Sequence, residues 1–155
     1  MAKSSVDRVR DALLAAGHPD TIREFPAGTR SAADAAAAIG CDVAQIAKSV
    51  VFRAGDRAAL VIASGVNRVD MAKVAAELGV ALKRADADWV RGRTGFAIGG
   101  VSPLGHLSPP LLVFDRDLLK LHPIWAAAGS PRHVFSTEAE TLARITGAVV
   151  AGVVA

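Results

Sequence analysis

Tyrosine is absent from this 155-residue chain, cysteine occurs once, and aromatic residues make up only 5% of it. The single thiol, Cys41, excludes an internal disulfide framework and any metal centre built from several cysteines. No apolar run approaches the ~18 residues of a membrane span, and the late run from Ala148 to Ala155 is interrupted by Gly152. The stretch from Met1 to Arg10 is charged and has no apolar signal core, so the cytoplasm is the expected compartment. Runs of basic residues are missing too. Eighteen Lys and Arg face 15 Asp and Glu, a net charge of +3 without the dense stripe of a protein that tracks a long duplex. Brief contact with a short anionic ligand remains open. The four histidines, His18, His106, His122 and His133, never fall at His-x-x-x-His spacing, so neither a metal nor a cofactor is expected.

What is present is alanine, 32 residues of it, within a composition that is 52% hydrophobic. That excess favours close helix packing, and the length fits one domain spanning residues 1–155. Ser4 and Ser5 precede the helical stripe Val6, Val9, Leu13 and Ala16, which Gly17-His18-Pro19 ends. A short strand is expected at 22–25. Ser31 opens a capping-box-like helix that Gly40 stops, and Asp42 caps a second short helix running through Ala47. Val50-Val51-Phe52 and Ala58 to Ala63 read as a hairpin about Ala54-Gly55-Asp56. Asp70 caps a helix that ends at Gly79; a strand at 80–83 and a helical piece at 86–90 follow. Further strands are expected at 111–114, 124–127 and 149–154. Thr137-Glu138-Ala139-Glu140 reads as a full capping box for a last helix ending near Gly147. Mixed hairpin and crossover links indicate an α+β domain on a mixed sheet.

Two features invite chemistry. The first is Gly99-Gly100-Val101-Ser102-Pro103-Leu104-Gly105. Gly100 and Gly105 have P-loop spacing, but His106 and Leu107 stand where the phosphate lysine and the Mg²⁺ hydroxyl belong. A serine-hydrolase elbow fails because Leu104 replaces its second glycine and Pro103 has no N–H to offer an oxyanion. Dinucleotide-type glycine spacing is absent. What survives is a loop whose backbone can approach a small ligand closely, or a tight connection with none. The second feature is Lys48, read as following a short helix and standing immediately before a buried strand. It can snorkel at a sheet edge, anchor a phosphate or carboxylate, polarise a carbonyl, or serve as a Schiff-base amine. His106 and His133 flank glycine-containing loops and are the better site histidines; His18 and His122 precede prolines and read as turn residues. Cys41 reads as half-buried and structural, and Trp89 and Trp125 as core residues.

In order along the chain, the segments from Ser31 to Gly40, Ile46 to Phe52, Arg68 to Lys73, Thr94 to Gly105, Asp115 and Ala128-Gly129-Ser130 resemble the YbaK/ProX family. Its members are freestanding relatives of the prolyl-tRNA synthetase editing domain. The resemblance runs from about Ser4 to the C-terminus. It implies a compact α+β domain with a curved, barrel-like mixed sheet flanked by helices. It also implies hydrolysis of the ester joining a wrong amino acid to the 3′ acceptor end of a tRNA, proline tRNA in particular, with a prolyl-tRNA synthetase as the implied protein partner.

On that resemblance Lys48 holds the 3′-terminal phosphate or ester region, and Gly100 and Ser102 belong to the catalytic loop. Gly99, Val101, Pro103, Leu104 and Gly105 line the aminoacyl pocket, faced by Gly129, Ser130 and His133. Ser49 stands where other members carry Asn or Thr, and Phe25 is expected to replace a pocket tyrosine. Esters of this kind are already activated, so positioning and backbone N–H donors suffice, with water activated by the terminal ribose hydroxyl or the substrate itself. Small pocket residues point to alanine, serine, cysteine or 2-aminobutyrate. The competing readings are a non-catalytic module that binds an acceptor end or a small molecule, and a Schiff-base enzyme at Lys48.

Overall fold

The computed structural model describes residues 3–29 and 31–154. Chain order is α1 (Ser5–Ala15), β1 (Ile22–Glu24), α2 (Ala32–Ile39), β2 (Ile46–Ala54), β3 (Arg57–Ser64), α3 (Met71–Leu78), β4 (Lys83–Arg84), α4 (Ala87–Thr94), β5 (Leu111–Asp115), β6 (Ile124–Ser130), β7 (His133–Thr137), α5 (Ala139–Thr146) and β8 (Val149–Ala151). One mixed sheet holds all eight strands, in the order β1-β7-β6-β2-β3-β5-β8, with the two-residue β4 paired to β2. The α+β class is as expected. The barrel-like closure is not: β1 and β8 end the order without pairing to each other, so the sheet is open.

The interior strand β3, between β2 and β5, is buried from Ala58 to Ser64, which explains its continuous apolar run. One face of the sheet packs Leu60, Ile62 and Phe114 against Val9 and Leu13 of α1, Val90 of α4 and Leu142 of α5. The other face packs Val61 and Val113 against Val74 of α3. A third, smaller cluster sets Ala35 and Ala36 of α2 on Ile46. Here the alanine excess lets a helix approach the sheet closely.

The caps behave as their residue types require. Ser4, Ser31, Asp70 and Asp86 each accept a hydrogen bond from a first-turn N–H. Thr137 does not cap α5. Glu138 holds that position without a side-chain bond, because the Thr137 hydroxyl lies 2.9 Å from Nε2 of a buried His18. His18 is therefore a core residue, edge-on to Phe135, and not a free turn histidine.

Strand boundaries also differ, and β8 stops at Ala151 where the sequence predicts a strand to 154. The helix expected from Asp42 is only a 3₁₀ turn, Val43–Gln45, so β2 starts at Ile46. The strand expected at 80–83 shrinks to Lys83–Arg84. β6 extends through Ser130 and turns back into β7, a strand the sequence reading leaves out. No helix among the described residues is long and apolar enough to cross a membrane.

Candidate active site

β2 has two neighbours on one edge and a gap between them. Ile46 and Ala47 pair in parallel with Trp125 and Ala126 of β6, and Phe52 and Arg53 pair with Arg84 and Lys83 of β4. From Lys48 to Val51 that edge has no strand partner among the described residues. A cavity of about 260 Å³ opens where β6 leaves β2. Ala32 and Ala35 of α2 roof it, Trp125, Ala127 and Val134 form its sheet side, and Ile98, Gly99 and Val101 close the gap. Thr29 and Ser31 complete the rim.

Lys48 lines this cavity from inside β2, two residues into the strand and not before it as its sequence setting suggests. Its ammonium pairs with no carboxylate among the described residues. Ser49 lines the cavity too, and its hydroxyl is buried without a hydrogen-bond partner. Alternation along a strand sends these two side chains to opposite faces. The gap lets one cavity reach both.

The glycine loop is placed by close backbone approach. A Cβ on Gly100 would stand 2.7 Å from the Cα and carbonyl carbon of Ser130, so only glycine lets the two segments touch. The Gly100 N–H is already committed to the Ala97 carbonyl at 2.9 Å. The Val101 N–H has no protein partner among the described residues, and Val101 lines the cavity. The cavity-lining residues of the loop whose N–H groups have no protein partner among the described residues are therefore Gly99 and Val101, on either side of Gly100.

Ser102 is fully buried outside the cavity lining. Its hydroxyl accepts from the Leu104 N–H, and its carbonyl accepts from His106 Nε2 at 2.5 Å. Pro103, Leu104 and Gly105 turn away toward the core and α1. His106 packs edge-on against Phe96; burial pushes its pKa below the ordinary histidine value, with the nearby Arg8 charge acting in the same sense. Its Nδ1 is buried without a partner.

The facing segment behaves similarly. Gly129 has φ of +99° at a bulge in β6, and its carbonyl accepts from Ser5 Oγ at 2.6 Å. Ser130 Oγ accepts from the Arg132 N–H and stands 2.5 Å from Nδ1 of His133, whose Nε2 is 3.7 Å from Glu24. None of these side chains lines the cavity. Phe25 lies outside as well, under the Arg23 guanidinium. The cavity aromatic is Trp125, which also carries Arg23 over its ring. Its apolar neighbours made it read as core. The missed signal is that β2 and β6 pair for only two residues before they part, and nothing local in the sequence encodes that divergence.

The fold and the cavity define an aminoacyl-tRNA editing domain. Residues 26–145 match the family of that description, and the chain belongs to this YbaK-type family. A solved structure described as "a putative trans-editing enzyme for prolyl tRNA synthetase" superposes with a TM-score of 0.91 at 42% identity, covering 100% of this chain and 99% of that one. A second, of "hypothetical protein APE2540", superposes at 0.87 with 27% identity over 94% of this chain and 98% of its own. The "Uncharacterized protein YwhH" of Bacillus subtilis is 30% identical over 127 residues, 81% of either chain.

Proposed function

We propose that this protein is a trans-editing deacylase that hydrolyses the ester between a mischarged small amino acid and the 3′ end of tRNA. Proline tRNA is the favoured carrier. The observation that carries this reading is the pairing of Lys48, a cation without a carboxylate partner among the described residues, with a cavity of about 260 Å³ whose lining includes five alanines. That volume lies below the ~300–1,000 Å³ of drug-sized ligand sites and suits alanine, serine, cysteine or 2-aminobutyrate. Family membership and the likeness to the prolyl-tRNA synthetase-related structure support the same substrate class.

In this mechanism the Lys48 ammonium holds the terminal phosphate or ester region by charge. The N–H groups of Gly99 and Val101 face the carbonyl oxygen as negative charge develops there; loss of one such donor costs about 10²–10³ in rate. The Ser49 hydroxyl bonds a polar group of the bound aminoacyl moiety. Water adds to the ester carbonyl, the bond to the ribose oxygen breaks, and that oxygen leaves with a proton as a terminal hydroxyl. The 2′-hydroxyl of the same ribose orients the water, which fits a cavity whose lining, among the described residues, holds no carboxylate or histidine.

The test is a deacylation panel of proline tRNA charged with alanine, serine, cysteine or 2-aminobutyrate, run with the wild type and Lys48→Ala. Hydrolysis of at least one ester, lost in the variant, supports the reading. Survival of every ester with the wild type rejects it, and binding without hydrolysis makes the protein an acceptor-end binding module.

A further inference from the structure

Far from the cavity, two guanidinium groups share one indole. The carbon of the Arg53 guanidinium lies 4.7 Å from the centre of the Trp89 ring, and that of Arg93 lies 5.7 Å from it. Trp89 and Arg93 are four apart on α4 and so lie on one helical face. Arg53 comes from β2, and the sheet register sets Lys83 directly beside it and Arg84 beside Phe52. Exposed Arg91, two residues from both Trp89 and Arg93, lies on the other side of α4.

No carboxylate of the described residues pairs with a cation of this surface, although Asp56 lines the same hollow as Arg53 and Lys83. The ion pairs of the described residues are Lys3–Asp11, Arg10 with Asp7 and Asp20, Lys120–Asp117, His122–Glu138 and His133–Glu24. None involves Arg53, Lys83, Arg84, Arg91 or Arg93. The distances of Arg53 and Arg93 to the shared ring put the two guanidinium carbons no more than about 10 Å apart, the scale of the Debye length, so their like charges repel unless an anion offsets them. Stacking on an indole leaves the outer N–H groups of a guanidinium free, in a fork that matches phosphate.

The position of the patch selects the anion. Ser49 and Arg53 lie on one face of β2, about 13 Å apart at the usual strand rise. α4 then runs from Trp89 through Gly95 to the Ile98–Val101 segment that closes the cavity. Patch and cavity thus lie at the two ends of one edge. A polyanion whose terminus enters the cavity reaches the patch within about four phosphates of one strand at duplex spacing.

We infer that the Arg53–Trp89–Arg93 stack, with Lys83 beside it, is a docking surface for the sugar–phosphate backbone of the RNA whose 3′ end occupies the cavity. The inference rests on the editing function proposed above. It assigns affinity for the acceptor arm to this surface and leaves the choice of amino acid to the cavity. Contacts of this kind position a backbone without reading bases.

The test uses the full chain and two substrates that carry whichever amino acid the deacylation panel finds hydrolysed. One is an RNA hairpin with the proline acceptor stem and a CCA end, the other the aminoacylated CCA trinucleotide. In R53Q/K83Q/R93Q, the slope of log affinity against log salt for the uncharged hairpin, read by fluorescence anisotropy, falls by about 2–3. In the same variant kcat/KM on the charged hairpin drops about tenfold or more, as expected for lost phosphate contacts, while the trinucleotide is hydrolysed within about twofold of the wild-type rate. The charge-matched control K3Q/R10Q/K120Q keeps the wild-type slope, and R53K/R93K keeps most of it. An unchanged slope in the triple variant overturns the docking surface while leaving the deacylase reading intact. Equal loss on hairpin and trinucleotide also overturns it, because the effect then lies in the cavity or the fold. If the wild type neither hydrolyses the charged substrates nor binds the hairpin, the deacylase reading fails, and the docking surface with it.

Discussion

Arg8 of α1 donates from Nε to the carbonyl of Gly105 at 3.2 Å and from Nη2 to the carbonyl of Gly95 at 2.7 Å, with its guanidinium 5.1 Å from the centre of the Phe96 ring. One side chain thereby ties both ends of the glycine loop to a helix that lies outside the matched family segment, residues 26–145. Ser5, one turn earlier, ties the facing strand through Gly129. α1 therefore braces both segments that meet at Gly100 and Ser130.

Arg8→Gln is expected to lose about 2 kcal/mol of stability, the scale of hydrogen bonds from a charged donor. Loop placement matters most where charge develops, so kcat should fall more than KM rises. Urea unfolding and steady-state deacylation check the two effects. A variant that is less stable but fully active would show that the loop keeps its place without the brace.

Gly100→Ala and Gly92→Ala should move stability in opposite directions. At Gly100 the new methyl meets Ser130 backbone at 2.7 Å, an overpacking that costs about 1–3 kcal/mol and displaces Val101. At Gly92, exposed inside α4 with nothing within 4 Å of a Cβ, alanine should add about 0.5–1 kcal/mol. Thermal melts of the two variants decide this. Deacylation should survive only in the second.

His106 gives a pH prediction with a definite sign. Its folded-state pKa lies below the ordinary value of 6.5, mainly because of burial. Between the two values the unfolded chain binds more protons, so stability contributed by the neutral ring is present above about pH 6.5 and is lost as pH falls through the folded-state pKa. The melting temperature should drop between pH 7.5 and 5.5, and the drop should shrink in His106→Gln. An equal drop in both proteins would place the acid sensitivity elsewhere.

Ser49→Ala separates activity from stability. The buried hydroxyl has no partner in the free protein, so its removal relieves about 1 kcal/mol of unpaired polar burial. The same change deletes the proposed substrate contact, and deacylation should slow. Replacing the terminal ribose of the substrate with its 2′-deoxy form should slow the wild type sharply. Unchanged turnover on that substrate would reject ribose assistance.

Much of the fold was legible because its punctuation is local. Ser31 and Gly40 bound α2, Asp70 and Gly79 bound α3, and the turn at Gly55 sets the β2–β3 hairpin. The errors lie where a tertiary partner competes with a local one. The Thr137 hydroxyl meets His18, 119 residues away, and so does not cap α5. Lys48, Ser49, Gly99 and Val101 were named from sequence and do line one cavity. Thr29, Ala32, Ala35 and Trp125 were not named, because their place depends on how far β6 stays beside β2. The resemblance located the loop, but it could not say which of the loop's N–H groups was already taken by a turn.

The unpartnered stretch of β2 has a cost outside catalysis. An open strand edge is a template onto which another chain can add, and native sheets guard such edges with charge, lysine above all. Lys48 stands at the start of this stretch and Arg53 just past its end. The lysine proposed to hold the substrate thus also keeps a second β-strand from taking the substrate's place. A variant made inactive by Lys48→Ala should therefore self-associate more readily at high concentration, which light scattering would register.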